Sequence, residues 1–323
     1  MGSVRHTERM KSRVHPRFKT KYRVANWPEY ERGLIGRGDV TIWLSPEAVA
    51  AWSPRPGGRR GGQRRYSDLS IETALTLRLV FHLPLRQVEG FLRSLFGLMG
   101  VDHDVPDHTT VSRRGQRLDV NLRRVPRAGP IHLIVDSTGL SIVGEGEWAA
   151  AKHGEKGKRG WRKLHLGVDA AGTIVAQMLT DSNTDDATVG RDLIETTEGP
   201  ISRVTGDAAY DTVGVYEAAG ARGAEVIVPP ARTAAVSRRP PRSVARDRSI
   251  KRGEQVGRRQ WKKESAYHRQ STVENVFFRY KTMFGDRLRS RAKAAQGAEV
   301  SLACNALNRM SALRGPRSLP IGL

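Results

Sequence analysis

With 323 residues, 38% of them hydrophobic, the chain can bury the cores of one large α/β domain and a smaller one, which excludes a globally disordered protein. Its 55 lysines and arginines exceed its 33 aspartates and glutamates to give a net charge of +22, which predicts a polyanionic partner such as nucleic acid. The single cysteine, Cys304, excludes disulfides and a structural zinc site, and the lack of a membrane-length apolar run or a secretion signal predicts a cytoplasmic protein.

The first 125 residues are predicted to form a basic arm and a small helical domain. Residues 1–25 are basic without a sustained apolar pattern, which predicts a flexible arm. Residues 27–52 predict a short helix, a turn and an apolar stretch, and residues 54–65 are rich in Pro, Gly and Arg, as in a linker. We therefore place a helical domain at 26–125 and a second, strand-containing domain at 126–315.

Three short helices are predicted within the helical domain. Apolar residues recur at helical spacing over 69–81 and 85–95, and Asp107 is suited to cap a third helix that runs to Arg117. Three helices of this kind, the last of them polar and basic, predict a helix-turn-helix-type DNA-binding module, although three-helix packing without DNA is the alternative. The candidate DNA-binding residues are Thr109, Thr110, Arg113, Arg114 and Arg117.

Strands replace helices from Ile131 onward. A continuous apolar run at 131–135 predicts a buried central strand, because both faces of such a strand are covered. The further predicted elements are strands 161–168 and 173–179 as a hairpin, helix 184–196, strand 201–205, helix 216–221, strand 224–228 and a final helix at 294–313. This order predicts an α/β fold of the ribonuclease-H-like class, with a mixed five-stranded sheet and flanking helices.

Residues 231–263 form a strongly basic insert in the second domain. Its arginines and lysines are offset only by Asp247 and Glu254. A solvated or disordered loop is the simpler interpretation. Because the insert leads directly into the helix that carries Glu274, we predict instead a segment that contacts the DNA backbone and becomes ordered on DNA. Trp261 could stack on a displaced base, but such a tryptophan is more often packed, and the same holds for Trp148.

Two aspartates follow predicted strands and are candidate metal ligands. Asp136 follows the apolar run 131–135 without a break, and Asp207 follows strand 201–205 after Gly206. A carboxylate is costly to bury at such a position unless it is paired or bound to metal, and Mg²⁺ prefers oxygen ligands of this kind. Capping a turn or a helix is the alternative role, which we expect for Asp169, Asp181, Asp185, Asp186 and Asp211.

A third carboxylate, Glu274, lies in a helix predicted over 264–284. At about 100° per residue, Tyr267, Gln270, Glu274 and Lys281 fall within roughly 60° of one another on this helix. An apolar face lies beside them, so the helix can pack on the sheet and direct Glu274 toward the sheet edge. An amphipathic surface helix with ordinary charges is the alternative.

Several stretches of the sequence resemble one known family. They are VDSTGL at 135–140, GEGEW at 144–148, WRKLHL at 161–166, GDAAYD at 206–211, and the spacing from Tyr267 to Lys281. Together they resemble the "IS-five" family of bacterial insertion-sequence transposases from about residue 18 to 313. WPEY at 27–30 and RG at 37–38 are similar to its "IS-nine-oh-three"-like subgroup.

The resemblance implies a DDE transposase with a ribonuclease-H-like catalytic domain. Asp136, Asp207 and Glu274 are implied to be its catalytic and metal-binding residues, holding two Mg²⁺ ions for which Mn²⁺ can substitute. Tyr267 and Lys281 are implied to contact DNA near the cleavage site. The motif's arginine falls on Gln270, which can hydrogen-bond a phosphate but cannot neutralise it, and the adjacent Arg269 points about 100° away on the predicted helix.

The implied activity is cleavage of the element's ends and their joining to target DNA. The protein would bind the terminal inverted repeats and join their 3′-hydroxyls to double-stranded target DNA, acting as a homodimer or larger assembly in the bacterial cytoplasm, associated with the nucleoid. Two alternatives stay open: a ribonuclease-H-like nuclease that acts on hybrids, and an inactive or regulatory DNA-binding relative in which Gln270 marks decay.

Overall fold

The computed structural model describes residues 22–54, 64–123, 128–143, 160–313, 315 and 317–320. The GEGEW stretch with Trp148, most of the predicted arm and most of the predicted linker lie outside these residues. The chain divides into two compact units, one of residues 40–309 and one of residues 1–39 with 310–323, and the predicted domain boundary at residue 125 stays a prediction. Among the described helices, none is both long and apolar enough to cross a membrane.

The smaller unit pairs residues from the two ends of the chain. Strand β1 (Tyr22–Val24) runs antiparallel to β8 (Ser318–Pro320), and helix α1 (Trp27–Gly36) follows β1. Asn26 donates to the carbonyl of Gly315 at 3.1 Å and accepts from the backbone N–H of Arg317 at 2.6 Å. Residues 22–24 were predicted to belong to the flexible arm. That prediction was wrong, because their strand partner lies at the other end of the sequence, where a local pattern cannot reveal it.

The larger unit begins with a group of helices. They are α2 (Val40–Trp43), α3 (Pro46–Ala50), α4 (Asp68–Val80), α5 (Leu85–Met99) and α6 (His108–Gly115). The last three confirm the three predicted helices to within a few residues at each end. The predicted cap is also confirmed, because the Asp107 carboxylate accepts hydrogen bonds from the backbone N–H groups of Thr109 and Thr110 at 2.9 and 3.0 Å.

A mixed sheet forms the centre of the larger unit. Its strands are β2 (Ile131–Ile142), β3 (Trp161–Val168), β4 (Ile174–Asp181), β5 (Ile201–Thr205) and β6 (Glu225–Ile227), in the spatial order β4-β3-β2-β5-β6. β2, β3 and β4 are antiparallel neighbours, whereas β5 is parallel to both β2 and β6. A sixth strand, β7 (Arg287–Leu288), pairs with the far end of β2 and was missed, because two residues are too few to show a period.

Helices pack on both faces of this sheet. On one face, α7 (Asp186–Thr196) and α8 (Val213–Ala221) bury odd-numbered β2 side chains such as Leu133 and Val135. On the other face lies α11 (Lys293–Ala312), where Ser301 accepts a hydrogen bond from Gln177 of β4 at 3.0 Å. Because side chains alternate along a strand, Asp136 lies on the same face as Gln177.

The helix predicted over 264–284 is broken in the structure. Helix α9 (Val244–Glu264) ends before Ala266, which adopts a φ of 55°, and the 3₁₀ turn Tyr267–Gln270 precedes helix α10 (Ser271–Phe284). Glu274 and Lys281 therefore share a face of α10 as predicted, whereas Tyr267 and Gln270 precede this helix and do not follow its angular spacing. Helical periodicity did not reveal the break because a left-handed alanine is uncommon. Most of the basic insert lies in α9, and its ordering on DNA stays a prediction.

Candidate functional site

The register of the sheet puts Asp136 and Asp207 at matching positions beyond the last residue pair of two neighbouring strands. Parallel strands β2 and β5 end their pairing with Ile134 opposite Thr205. Asp136 and Asp207 each stand two residues further along, and adjacent strands are about 4.8 Å apart. Asp136 lies inside β2, not after its end as the sequence suggested, because pairing with β3 extends β2 to Ile142.

Asp207 leaves β5 through a tight turn that is packed against Tyr210. The Asp207 carboxylate accepts a hydrogen bond from the backbone N–H of Ala209 at 2.8 Å and so caps this turn. A Cβ atom on Gly206 would lie 2.9 Å from the Tyr210 ring, and one on Gly190 of α7 would lie 2.5 Å from it. These two glycines let the buried tyrosine fill the space behind Asp207, a packing contact that the sequence reasoning did not foresee.

The carboxyl group of Asp136 is buried close to other negative charges. Burial, followed by the negative charges of Asp207, Glu274 and Asp186, raises the pKa of its carboxyl to about 7. A hydrogen bond of 2.8 Å from the backbone N–H of Ser137 opposes this rise. Carboxylates that repel one another in a partly buried site are stabilised by a divalent cation, so the electrostatics favour metal binding here.

Glu274 approaches this site from the first turn of α10, which packs on β2 and β3. Its side chain is exposed, whereas Asp136 and Asp207 are each held by a backbone hydrogen bond. In the described part of the chain, no three Asp, Glu, His or Cys side chains are already arranged to hold a metal ion. The donor set, three carboxylates with hard oxygens, fits Mg²⁺. We expect Glu274, the exposed member of the three, to complete the site by rotating its side chain.

Tyr267 lies among the charges of the three carboxylates. Burial, followed by the charges of Asp207, Asp136 and Glu274, raises the pKa of its hydroxyl to about 12. The Lys262 Nζ atom lies 4.6 Å from the centroid of the Tyr267 ring, a cation–π contact. Trp261 packs against the same ring at 6.3 Å and is only 5% exposed, which favours the packed role over stacking on a displaced base.

The remaining candidates around Glu274 have different surroundings. Arg269 is exposed and Lys281 is partly exposed, so both remain candidates for contacts with DNA. Gln270 is only 4% exposed, and its Nε2 donates to the carbonyl of Val135 at 3.1 Å. The prediction that Gln270 contacts DNA therefore needs correction for this structure, because the 3₁₀ turn rotates its side chain into the protein.

The candidate DNA-binding residues of α6 fall into two groups. Thr109 and Thr110 donate their hydroxyls to Asp107, and Arg114 donates to the carbonyl of Tyr66 at 2.7 Å while also pairing with Asp68. These contacts hold the helical region together. Arg113 is exposed on α6 and Arg117 is exposed in the turn just after its end, so these two are the better candidates for DNA phosphates.

We expect Arg113→Ala combined with Arg117→Ala to weaken binding to an end duplex, meaning a DNA duplex that carries the end sequence of the element. The melting temperature of the protein should not fall. Losing two phosphate contacts should reduce the salt slope of binding by about 2, whereas Arg114→Ala should lower the melting temperature because it removes internal contacts. Mobility shifts at several salt concentrations, together with thermal unfolding, measure both effects. An unchanged salt slope in the double variant would show that α6 does not contact DNA.

A buried ion pair beneath the site was missed. Arg246 of α9 donates through Nε and Nη2 to the two carboxylate oxygens of Asp211 at 2.8 and 3.1 Å, and the backbone N–H of Ala231 donates to Asp211 at 2.9 Å. The side chain of Asp211 is 1% exposed and that of Arg246 is 13% exposed. The pair ties α9 to the GDAAYD segment that carries Asp207. In the sequence, the pair is indicated only by the second aspartate of that segment, Asp211, for which we predicted a turn or capping role.

A polar cluster around Asp186 was also missed. Lys163 donates to the Asp186 carboxylate at 3.1 Å and to the carbonyl of Thr184 at 3.0 Å. His165 is fully buried, and burial lowers its pKa. Its Nδ1 lies 3.6 Å from Asp186, and its Nε2 is 2.9 Å from the hydroxyl of Thr180. Asp186 therefore holds β3 to the start of α7, while Asp185 is the residue that caps that helix.

Comparison with known proteins identifies the family. Among solved structures, the chain is similar to the cryo-EM structure of the piggyBac transposase synaptic complex with hairpin DNA. The sequence identity is 11% and the TM-score 0.36, with 90% of this chain and 76% of that chain covered. Two family profiles, both described as "Transposase DDE domain", match residues 35–145 and 127–309, and the second spans Asp136, Asp207 and Glu274. Since that profile alone matches more than half of the chain, this protein belongs to the family of transposase DDE domains.

Proposed function

We propose that this transposase binds the terminal inverted repeats of an insertion sequence, cleaves the ends, and joins their 3′-hydroxyls to target DNA. The observation that carries the proposal is the convergence of negative charge on Asp136 from Asp207 and Glu274, three carboxylates from separate segments of a DDE domain. We place the protein in the "IS-five" family and its "IS-nine-oh-three"-like subgroup on the motifs quoted above, and in the bacterial cytoplasm.

Asp136, Asp207 and Glu274 would hold the metal in this proposal. When bound, two Mg²⁺ ions supply activation of the attacking hydroxyl and stabilisation of the leaving oxygen, and Mn²⁺ can replace them. The chain's own part is to orient the scissile phosphate: Lys281 offers a positive charge on the exposed side of α10. Tyr267 offers a hydroxyl that stays protonated, because its pKa of about 12 lies far above neutral pH.

Cleavage and joining are the same displacement with different nucleophiles. In cleavage, the oxygen of a water molecule bonds to phosphorus, the bond from phosphorus to the 3′-oxygen breaks, and that oxygen takes up a proton to become a 3′-hydroxyl. In joining, this hydroxyl attacks a target phosphate, and the 3′-oxygen of the target strand leaves. Neither step needs a covalent bond between DNA and protein, so the same carboxylates serve both.

The basic surface supplies the DNA contacts. The net charge of +22 favours a polyanionic partner, and Arg113, Arg117 and the exposed basic residues of α9 are suited to duplex phosphates. Joining both ends of one element to a single target needs two active sites, so we propose a homodimer or larger assembly in the reaction.

The proposal is tested by incubating the full-length chain with a duplex that carries the element's end sequence. We expect nicking at the end with Mg²⁺ or Mn²⁺, none in EDTA, and products joined to a second duplex. Cleavage of RNA–DNA hybrids without joined products would favour a ribonuclease-H-like nuclease. End binding without nicking under any metal condition would favour an inactive or regulatory relative and overturn the proposal.

A further inference from the structure

We propose that Gln270 is a positioning residue, which holds the helix of Glu274 against the strand of Asp136 and on which metal binding depends. The inference rests on the proposed function, because the two residues that it positions are the proposed metal ligands. It assigns to Gln270 a role within the protein in place of the DNA contact that its position in the motif implies.

The contacts of Gln270 are all internal. The residue lies at the boundary between the turn Tyr267–Gln270 and α10, four residues before Glu274. Its side chain is 4% exposed, and its Nε2 donates to the carbonyl of Val135, the residue before Asp136, at 3.1 Å. One hydrogen bond therefore joins the segments that carry two of the three carboxylates, although they are 135 residues apart in the chain.

The sheet explains why this hydrogen bond is needed. Pairing between β2 and β5 ends at Ile134 and Thr205, and beyond it the chain at Asp207 turns away into its own cap. Val135 is fully buried just past the last pair. A buried backbone carbonyl without a donor destabilises the folded state. The turn Tyr267–Gln270 contacts both β2 and β5, and the amide of Gln270 supplies a donor where the parallel pairing stops.

The chemistry of the amide explains why a glutamine can replace the motif's arginine here. Both side chains carry N–H donors that a carbonyl can accept, and only arginine also carries a charge. The departure at residue 270 thus keeps the donor for Val135 and removes a cation from a buried position. The Oε1 atom of Gln270 is buried and has no hydrogen-bond partner among the described residues, so the position is enclosed and not open to a DNA phosphate. On this interpretation Gln270 is not a sign of decay.

The test compares Mn²⁺ binding to the full-length chain, without DNA, in variants that lose the hydrogen bond. Gln270→Met keeps the volume and removes the donor, while Gln270→Asn keeps the amide on a side chain one methylene too short to reach Val135. Loss of a residue that orients metal ligands weakens metal affinity by about 10–100-fold, which is the loss that we expect for both variants by calorimetry. Circular dichroism and thermal unfolding verify that each variant is folded.

Gln177→Met is the matched control. Gln177 shares the sheet face of Asp136, and it also makes one side-chain hydrogen bond to a packed helix, in this case from β4 to Ser301 at 3.0 Å. It joins no two segments that carry the proposed metal ligands, so its loss should leave Mn²⁺ affinity within about twofold of wild type while lowering the melting temperature comparably.

Three outcomes decide the matter. Wild-type affinity in Gln270→Met, or in Gln270→Asn, overturns the inference. Equal weakening in Gln177→Met overturns it as well, because the effect would then be one of general stability. A wild-type chain that binds Mn²⁺ and loses affinity in the Gln270 variants, yet never nicks an end duplex, would support this inference while refuting the proposed function.

Discussion

Asp136→Asn is expected to abolish end cleavage while leaving binding to the end duplex unchanged. Asparagine keeps the size of the side chain but removes the negative charge that holds the metal. Metal stabilisation of a phosphoryl transition state is worth several kcal/mol, so the rate should fall by on the order of a thousandfold or more. Single-turnover cleavage and mobility shifts with the same duplex measure the two properties. An asparagine variant that still cuts would refute the assignment of Asp136.

The same substitution should stabilise the metal-free protein at alkaline pH. The pKa of Asp136 is about 7 in the folded chain, well above the ordinary 3.8 of an aspartate carboxyl, so the folded state holds this proton more tightly than the unfolded state. The associated stability is complete below about pH 4 and is lost as the pH rises through about 7, by as much as about 4 kcal/mol. In EDTA, the wild-type melting temperature should therefore fall over this range relative to that of Asp136→Asn.

A divalent metal should reverse this difference in melting temperature between the wild type and Asp136→Asn. Mg²⁺ or Mn²⁺ neutralises the repulsion among Asp136, Asp207 and Glu274, so it should raise the melting temperature of the wild-type chain at pH 8 much more than that of Asp136→Asn. Thermal unfolding at fixed pH with increasing metal measures the effect. Equal stabilisation of both proteins would mean that the cation binds elsewhere.

Local patterns in the sequence were sufficient for some of the regular elements, such as β2 and α6. The apolar run before Asp136 marks a central strand because a strand covered on both faces has no polar side. Asp107 marks the start of α6 because its carboxylate can accept the free N–H groups of a first helical turn, as it does in the structure. In both cases the responsible interactions lie within a few residues of one another.

Features that depend on distant partners could not be predicted in this way. Asp136 and Asp207 lie at matching positions because of the register between β2 and β5. The length of β2 follows from its pairing with β3. The left-handed Ala266 and the burial of Gln270 depend on how the turn before α10 meets β2 and β5. Helical periodicity assumes an unbroken helix, so it directed Gln270 outward when the structure directs it inward.

Composition does not reveal which residues of the basic insert pack inside the protein. Its arginines and lysines make most of it polar, which is why we predicted a segment that contacts the DNA backbone and becomes ordered on DNA. Helix α9 nevertheless buries Ile250 and Trp261, and it uses one of its arginines, Arg246, for an internal ion pair. A count of charges cannot tell which arginine has a buried partner, because that partner, Asp211, belongs to another part of the chain.

Arg246→Met should be among the most destabilising single substitutions in the larger unit. It removes the partner of a carboxylate that is only 1% exposed, and leaving one charge of a buried pair uncompensated costs about 3–5 kcal/mol. Asp211 follows Asp207 in the same short segment, so cleavage should fall together with stability. Urea unfolding gives the free energy of unfolding. Arg252→Met is the control, because its pair with Glu264, formed across the non-helical Gly257 within α9, is 50% and 35% exposed.

Arg246→Met combined with Asp211→Asn distinguishes two causes of instability, the loss of the attraction between the two charges and the burial of an unpaired Asp211. If the cost in Arg246→Met comes from an unpaired Asp211, then adding Asp211→Asn should recover much of the stability, because neither buried charge remains. The amide can still accept the hydrogen bond from the backbone N–H of Ala231 through its oxygen. Recovery of cleavage along with stability would show that α9 acts on Asp207 by holding the segment in place. Recovery of stability alone would mean that the charge of Arg246 or that of Asp211 is itself needed in the reaction.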